Sequence, residues 1–115
     1  MPVPPARDPR AWLDAGPCAD HEPGAVRPVR DGELRVALCR DAAGAFSALA
    51  DRCPHAGAPL SEGVLREDRL VCPWHGFVFR PATGACVNVP SCAPVPRHAV
   101  EVEGGRVFVA RAPLA

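Results

Sequence analysis

The chain has 115 residues, 13 acidic and 13 basic side chains, a formal net charge of zero and 48% hydrophobic residues. This length fits a single domain. Because every basic residue is an arginine offset by an acid, the composition excludes the broad positive field that nucleic acid or an anionic membrane surface would need. No apolar run approaches the length of a membrane span, and the first nine residues show no apolar signal region. We therefore expect a soluble, cytoplasmic protein without a nucleic-acid or membrane partner.

The N-terminal segment, residues 1–10, contains four prolines. Proline disfavours both a helix interior and a central strand, so we interpret these residues as a flexible tail in front of a single domain over residues 11–115. A brief helical turn is allowed around residues 9–15. Beyond it, short apolar segments alternate with turn residues and nothing long follows helical spacing, which indicates an all-β fold.

Two hairpins are predicted from glycine-containing turns. Residues 25–29 and 34–40 flank Asp31-Gly32, a dipeptide that tolerates positive φ, and the apolar positions of the second strand alternate onto one face. Residues 45–49 then form a further strand. Near the end of the chain, residues 99–103 and 106–110 flank Gly104-Gly105, with a valine at every second position. This second hairpin is the clearest structural signal in the sequence.

Cysteine and histidine occur at close spacing in two segments. One is Cys53-Pro54-His55, the other is Cys72-Pro73-Trp74-His75, and sixteen residues separate His55 from Cys72. Two cysteines and two histidines also make a structural zinc set, but zinc sites usually take both cysteines from one element and both histidines from another. In an extended Cys-x-His the two side chains share a face about 6.6 Å apart at Cα. That spacing suits two adjacent metals at least as well as one.

The two motifs, CPHAGAPL and CPWHGF in full, resemble those of the Rieske 2Fe-2S family, and the resemblance extends over about residues 12–110. It implies an all-β antiparallel sandwich or barrel with a cluster-binding tip made of two loops. It further implies one 2Fe-2S cluster per chain, with one iron held by Cys53 and Cys72 and the other by His55 and His75. Two ferric ions, two sulfides, two thiolates and two neutral imidazoles sum to zero charge. The electron therefore enters a neutral centre rather than the dianion of an all-cysteine cluster, and the reduction potential is higher.

Departures from the respiratory members of that family point to a low potential. Those members carry an extra cysteine in each loop, where this chain has Ala58 and Trp74, and hydroxyl donors to the cluster, where this chain has Phe77 and no tyrosine. Hydrogen bonds to the cluster sulfurs stabilise the added electron, so their loss lowers the potential. The chain thus resembles the low-potential ferredoxins that serve oxygenases or an assimilatory nitrite reductase.

The remaining cysteines and histidines match no ligand position. We interpret Cys18, Cys39, Cys86 and Cys92 as small apolar residues, although the closeness of Cys86 to Cys92 leaves a disulfide open. His21 and His98 are expected to be surface or strand residues. Gly57 and Gly76 are expected to let backbone N–H groups approach sulfide, whereas Gly63 and Gly84 are expected to be plain turn residues. The proline-rich run at residues 90–96 is either a third loop shielding the cluster or a linker.

No second metal motif, nucleotide fingerprint or nucleophile–base pair accompanies the two motifs. We therefore expect a one-electron carrier rather than an enzyme, which accepts electrons from a flavin or iron–sulfur reductase and donates them to a terminal non-haem iron oxygenase. One alternative is a small electron-relay subunit of an assimilatory nitrite reductase. Another, from a different class, is a structural zinc-binding module that acts through protein contacts.

Overall fold

The computed structural model describes residues 7–54, 57–74 and 76–114. The described residues contain strands, two 3₁₀ turns and no α-helix, which confirms the all-β prediction. The 3₁₀ turns span Cys18–Asp20 and Leu60–Glu62. The strands are β1 (Trp12–Pro17), β2 (Ala25–Asp31), β3 (Leu34–Arg40), β4 (Phe46–Ala50), β5 (Val64–Arg66), β6 (Arg69–Val71), β7 (Val78–Phe79), β8 (Arg97–Glu103) and β9 (Arg106–Pro113).

Six strands form one antiparallel sheet in the order β1-β9-β8-β4-β3-β2, which curves into a nearly closed barrel. Its two edge strands face each other across a groove of about 450 Å³, lined from β1 by residues 13–15 and from β2 by residues 27–30. Pro28 lies in β2, where an edge strand tolerates the missing N–H donor. An ion pair of 2.6 Å between Arg111 and Asp31 joins β9 to the end of β2.

Both predicted hairpins are present, the first with its loop shifted by one residue. Asp31 still pairs with Leu34, so the two-residue loop is Gly32-Glu33 rather than Asp31-Gly32. The reason is that the left-handed glycine, with φ of +61°, takes the first loop position. In the second hairpin Gly104 and Gly105 have φ of +59° and +75°, the left-handed pair that a tight two-residue loop requires.

The N-terminal helical turn is shorter than the expected range. The N–H groups of Ala11 and Trp12 donate to the carbonyl oxygen of Asp8 at 3.0 and 2.9 Å, and β1 then begins at Trp12 because the open edge of β9 offers backbone partners. Residues 1–6 of the predicted tail lie outside the described residues. Arg7 stacks on the rings of Trp12 and Phe108, at 4.7 and 5.2 Å from the ring centres. The proposed boundary at residue 10 stays a prediction.

A second sheet, β5-β6-β7, was not foreseen. Its first hairpin turns at Glu67 and Asp68, both left-handed with φ of +51° and +61°. Glycine, asparagine or aspartate normally fills such positions, and Glu67 is none of these, so Glu67-Asp68 gives no clear turn signal in the sequence. The Asp68 carboxylate accepts a hydrogen bond of 2.9 Å from the N–H of Ala42, which fastens this turn to the barrel.

The two faces of β3 pack against two different hydrophobic clusters. Val36 and Leu38 lie in the barrel cluster with Ala48, Val107 and Val109, which confirms the predicted alternation along this strand. Ala37 and Cys39 lie on the opposite face, in a cluster shared with the segment between β4 and β8. The further buried members of this second cluster are Leu49, Cys53, Ala58, Leu60, Leu70, Cys72, Phe79 and Val95.

Residues 51–96 form an insertion between two neighbouring strands of the barrel. The strands β4 and β8 pair directly, and the N–H of Ala50 donates to the carbonyl oxygen of Pro96 at 2.8 Å. The insertion therefore leaves and rejoins the barrel at the same point. It contains the small sheet and both cysteine motifs. Within the part of the chain that the structure describes, no helix has the length and hydropathy of a membrane span.

Candidate metal centre

Loop 1, residues 53–58, folds back on its own cysteine. The N–H of Cys53 donates to the carbonyl oxygen of Ala58 at 2.8 Å, and the N–H of Gly57 donates to the carbonyl oxygen of Cys53 at 2.8 Å. Gly57 has φ of +73°, a conformation in which any side chain is strained. The glycine is therefore what allows the chain to close at this point.

Loop 2, residues 72–77, has the same framework. The N–H of Cys72 donates to the carbonyl oxygen of Phe77 at 2.7 Å, and the N–H of Gly76, with φ of +70°, donates to the carbonyl oxygen of Cys72 at 3.3 Å. Both motifs read Cys-Pro-x-x-Gly, so the two loops match although their histidines stand at different distances from the cysteine. The N–H groups of the two glycines thus both donate to the carbonyl oxygen of the cysteine in their own loop. The expectation that Gly57 and Gly76 let backbone N–H groups approach sulfide stays a prediction.

The structure brings the two predicted cysteine ligands together. Cys53 and Cys72 are 0% and 2% exposed and belong to the same hydrophobic cluster. Predicted ligands His55 and His75 lie outside the described residues, so the complete ligand set stays a prediction. In loop 2 the side chain of Trp74 is 58% exposed. The two loops thus combine buried cysteine side chains with an exposed aromatic ring.

The buried pair of thiols suits the group that the motifs imply. Charge in an apolar environment is costly unless it is neutralised, and two thiolates within a hydrophobic cluster need bound metal for that purpose. A centre made of two ferric ions, two sulfides, two thiolates and two imidazoles has no net charge when oxidised. The donor set and its apolar surroundings therefore fit a 2Fe-2S cluster.

A buried acid fixes the two ends of loop 1. The Asp51 carboxylate, 8% exposed, accepts hydrogen bonds from the backbone N–H of Ser61 at 2.7 Å and from its hydroxyl at 2.6 Å. Ser61 lies in the 3₁₀ turn that follows the loop. The sequence did not predict this pair, because a single aspartate before a motif is ordinarily a solvated residue.

Asn88 fixes loop 2 in a comparable way. Its side-chain oxygen accepts the N–H of Val78 at 2.9 Å, and its side-chain nitrogen donates to the carbonyl oxygen of Gly76 at 2.9 Å. Gly76 lies within loop 2, and Val78 directly follows it. This residue too was absent from the sequence-based site, since nothing in a lone asparagine indicates which backbone groups it will bind.

The proline-rich run at residues 90–96 lies beside the two cysteine loops. Burial, a hydrogen bond with Cys86 and the charges of Cys86, Cys53 and Cys72 raise the pKa of Cys92 to about 11. Cys92 packs against the hydrophobic cluster that contains Cys53 and Cys72. Residues 91–93 line one cavity together with Pro54 and Phe77 of the two cysteine loops. We call residues 84–96 the third loop, and the expectation that residues 90–96 shield the cluster stays a prediction.

Gly84 and Gly63 are not plain turn residues, as the sequence suggested. A Cβ on Gly84 would stand 2.1 Å from the carbonyl oxygen of Val95, and the Val95 N–H donates to the carbonyl oxygen of Gly84 at 2.8 Å. A Cβ on Gly63 would stand 2.0 Å from the carbonyl oxygen of Val71. Both glycines are therefore places where two backbones touch, and Gly84 closes the third loop.

The other titratable candidates lie in the barrel. His98 is in β8 and its Nδ1 is 2.8 Å from the carbonyl oxygen of Ala110, while His21, buried rather than on the surface, has Nε2 2.9 Å from the carbonyl oxygen of Ala15. Burial and the nearby Asp51 charge raise the pKa of the Cys39 thiol to about 12. Among the described residues no group of three or more His, Cys, Asp or Glu side chains is arranged to hold a metal ion.

A small antiparallel barrel with two matched Cys-Pro loops on an insertion defines a metal-binding all-β domain. The family model described as the Rieske [2Fe-2S] domain matches residues 11–102, and the chain belongs to this family. The expectation drawn from the two motifs is thereby confirmed. Its cofactor is a single 2Fe-2S cluster.

Curated relatives differ greatly in size. Ferredoxin CarAc of Metapseudomonas resinovorans is 39% identical over 100 residues, which cover 86% of this chain and 92% of the relative. Apoptosis-inducing factor 3 of Homo sapiens is 38% identical over 107 residues, which cover 91% of this chain. The chain spans only 18% of the length of that human protein.

Solved structures share the fold over nearly the whole chain. The ferredoxin chain in a complex of reduced oxygenase and oxidised ferredoxin of carbazole 1,9a-dioxygenase superposes with a TM-score of 0.84 at 36% identity, covering 91% of this chain and 97% of that one. A chain described as an NADH-dependent nitrite reductase small subunit from Mycobacterium tuberculosis gives a TM-score of 0.79 at 26% identity, covering 90% and 96%.

Proposed function

We propose that the chain is a one-electron carrier that holds its 2Fe-2S cluster through Cys53, His55, Cys72 and His75. It passes electrons from a reductase to a terminal non-haem iron oxygenase. The observation that supports this most is the pair of loops with one hydrogen-bond framework, whose cysteines meet in a single hydrophobic cluster. Such a site binds a redox group rigidly, and the chain needs no catalytic residue of its own to move an electron.

The exposed side of the loops is the proposed docking surface. Pro54, Pro73 and Trp74 are all exposed and follow the two cysteines directly in sequence. An electron carrier must bring its cofactor close to a partner, and large aromatic side chains are enriched in the centres of protein interfaces. Trp74, which stands between two predicted ligands in the sequence, is therefore proposed as a contact with the acceptor.

The donor is proposed to be a flavin or iron–sulfur reductase and the acceptor an oxygenase. Likeness to a ferredoxin solved in complex with its oxygenase supports the acceptor. A cytoplasmic location stays part of the proposal. The nitrite reductase alternative is supported by the likeness to a small subunit of such an enzyme. The two differ in one observable: a permanent subunit co-purifies with a large reductase chain, whereas a carrier is isolated alone and reduces its acceptor in solution.

Cofactor analysis of the purified protein tests the site. We expect a red-brown protein with two irons and two sulfides per chain, and loss of colour in Cys53→Ala, His55→Ala, Cys72→Ala and His75→Ala, because metal binding is coupled to folding of the loops. Cys18→Ala and His98→Gln are matched controls from the barrel and should keep the cluster. Stoichiometric zinc in protein produced with ample iron would support the structural zinc module instead.

Voltammetry near neutral pH tests the kind of carrier. Phe77 stands where a serine donor would be, and the chain has no tyrosine. We therefore expect a midpoint potential near the lower limit of the Rieske range, about −150 mV, rather than near its upper limit, about +300 mV. A clearly positive midpoint would contradict the assignment to the low-potential ferredoxins.

Replacement of Trp74 tests the docking surface. Trp74→Ala should slow electron transfer to the oxygenase while leaving absorption spectrum and midpoint potential unchanged, since the side chain is 58% exposed. Val102→Ala removes another exposed apolar side chain, 53% exposed in β8, and serves as the control. Equal rates for the two variants would place the contact with the acceptor elsewhere.

A further inference from the structure

We propose that a groove beside loop 1, lined by Arg30, Arg35 and Arg52, docks carboxylate groups on the surface of the protein with which the chain exchanges electrons. We call it the arginine groove. This inference rests on the proposed electron-carrier function, and it adds the charge that the partner presents.

The arginine groove lies where the β2–β3 hairpin meets the start of the insertion. Its volume is about 430 Å³. The other lining residues are Glu33, Ala50, Asp51, Gly57 and Pro59. Gly57 belongs to loop 1, so part of the groove wall is one of the two cysteine loops.

Two of the arginines are held at the base of loop 1. The carbonyl oxygen of Arg35 accepts the N–H of Asp51 at 3.1 Å, which places Arg35 beside the residues that precede the loop. Arg52 stands directly before Cys53 in the sequence, and a Cβ on Gly57 would lie 3.4 Å from the Nε atom of Arg52. The Arg52 guanidinium group therefore lies against loop 1.

The positive charge of the arginine groove is not neutralised within the protein. Among the residues that the structure describes, no carboxylate forms an ion pair with Arg30, Arg35 or Arg52, and all three side chains are exposed. Asp51 is only 8% exposed and is already hydrogen-bonded inside the protein. Of the described lining residues, Glu33 is then the one exposed acid. Three exposed cations thus face one exposed anion.

Two of these cations stand directly opposite each other. Arg30 and Arg35 are register partners in the β2–β3 ladder, and like charges in that arrangement destabilise a sheet. A carboxylate between them would remove the repulsion. It would also accept charge-assisted hydrogen bonds, which guanidinium groups donate in pairs. The pair therefore favours an acidic occupant.

The setting of the arginine groove favours a protein surface over a small free anion. A small-molecule site usually encloses most of its ligand, whereas these arginines are exposed. Exposed charges mainly steer two surfaces together and fix their register. The groove also adjoins the proposed docking surface of Pro54, Pro73 and Trp74, since Pro54 and Gly57 both belong to loop 1. A partner that covers the exposed loops would place its carboxylates at the edge of the interface, where charged groups are common.

Two small oxidants of opposite charge test the arginine groove without the partner. The reduced holoprotein gives one electron to tris(oxalato)cobaltate(III), a trianion with carboxylate oxygens on its surface, or to hexaamminecobalt(III), a trication. In each case Co(III) becomes Co(II). At about 0.1 M salt, charges act strongly only within about 10 Å. The double variant Arg30→Gln, Arg35→Gln should react about tenfold more slowly with the trianion and faster with the trication. A changed midpoint potential would instead alter both rates in the same direction.

The chain offers a matched control for the loss of two charges. Arg66 and Arg69 also face each other, in the β5–β6 hairpin. The turn of that hairpin is fastened to Ala42, beyond the end of β3 that is remote from Arg35. The five residue steps of β3 between the two ends span roughly 17 Å, which exceeds the screening length. Arg66→Gln, Arg69→Gln should therefore leave both rates close to those of the wild type.

Three results would overturn the inference. Equal effects of the two double variants on the ratio of the rates would show that the arginine groove does not guide the approach to the cluster. Saturable binding of inorganic phosphate in calorimetry, lost in Arg30→Gln, Arg35→Gln, would identify a small-anion site instead. A dimer in sedimentation that this variant converts to a monomer would identify a second copy as the occupant.

Failure of the carrier function itself gives a different result. A protein with two irons and two sulfides that reduces neither cobalt complex would contradict the proposed carrier function, and the inference with it. A protein that reduces both complexes but shows no dependence on Arg30 and Arg35 would contradict the docking inference alone.

Discussion

The carboxylate of Asp51 receives two hydrogen bonds from Ser61, one from the backbone N–H at 2.7 Å and one from the hydroxyl at 2.6 Å. Loop 1 lies between these two residues, so the pair closes the ring of chain that contains the first cysteine. Both side chains are buried. In a dry environment a carboxylate that loses a donor has no water to replace it, which makes the pair costly to break.

Ser61→Ala should therefore destabilise the protein by about 1–3 kcal/mol, the cost of a buried charged group left short of a hydrogen bond. The loss is read as a lower midpoint in urea unfolding, together with faster release of iron. Ser47→Ala, which removes a half-buried hydroxyl from β4 of the barrel, is the control and should leave iron release unchanged. If both variants release iron at the wild-type rate, the pair does not support loop 1.

Two glycines with the same backbone conformation separate a steric contact from backbone strain. Gly84 and Gly24 have φ of +78° and +79°, but a Cβ on Gly84 would meet the Val95 carbonyl oxygen at 2.1 Å, whereas Gly24 has nothing within 4 Å. Gly24→Ala should cost about 1–2 kcal/mol for the left-handed conformation alone. Gly84→Ala should cost distinctly more in urea unfolding and should loosen the third loop. Equal losses of stability in the two variants would mean that the third loop moves away from the added Cβ at no cost in free energy.

These pairs show where the sequence is informative and where it is not. Gly104-Gly105 predicts its hairpin because the turn depends on two adjacent residues, and the Cys-Pro motifs predict their loops for the same reason. Asp51 with Ser61 and Gly84 with Val95 are contacts between residues ten or more positions apart. No local sequence pattern predicts such a contact. The small sheet was missed because its hairpin turn places Glu67 in a left-handed conformation that glycine, asparagine or aspartate normally adopts.

Asn88 allows its two hydrogen bonds to be removed separately. Asn88→Ala loses both the acceptor for Val78 and the donor to Gly76, and we expect a loss of about 1–2 kcal/mol in urea unfolding. Asn88→Asp keeps the acceptor but sets a carboxylate oxygen against the Gly76 carbonyl, so it should loosen loop 2 at least as much. Hydrogen exchange at Gly76 measures this effect directly. Unchanged hydrogen exchange at Gly76 in both variants would show that loop 2 is stable without the Asn88 hydrogen bonds.

Alkaline pH provides a test of the buried thiol at Cys39. Burial and the Asp51 charge raise its pKa from 9.0 to about 12. Below pH 9 both folded and unfolded chains keep the proton, so stability does not depend on this group. Between pH 9 and 12 the unfolded chain releases the proton and the folded chain does not. Stability therefore falls as pH rises, by about 1.4 kcal/mol per pH unit.

The chain has no lysine and no tyrosine to titrate in this window. Cys92, whose pKa is raised to about 11, contributes a fall of the same sign, so the contribution of Cys39 is the difference between the wild type and Cys39→Ala. Charged groups around the cavity beside Cys39 are Asp41, Glu67, Asp68, Arg69 and Arg80. Cys39→Ala should lower stability at every pH through lost packing, yet its decline between pH 9 and 11 in urea unfolding should be shallower than in the wild type. Cys18→Ala, the control, should keep the wild-type slope. A slope in Cys39→Ala as steep as in the wild type would show that the Cys39 thiol ionises equally well in the folded protein, and that the hydrophobic cluster beneath the two cysteine loops is open to water.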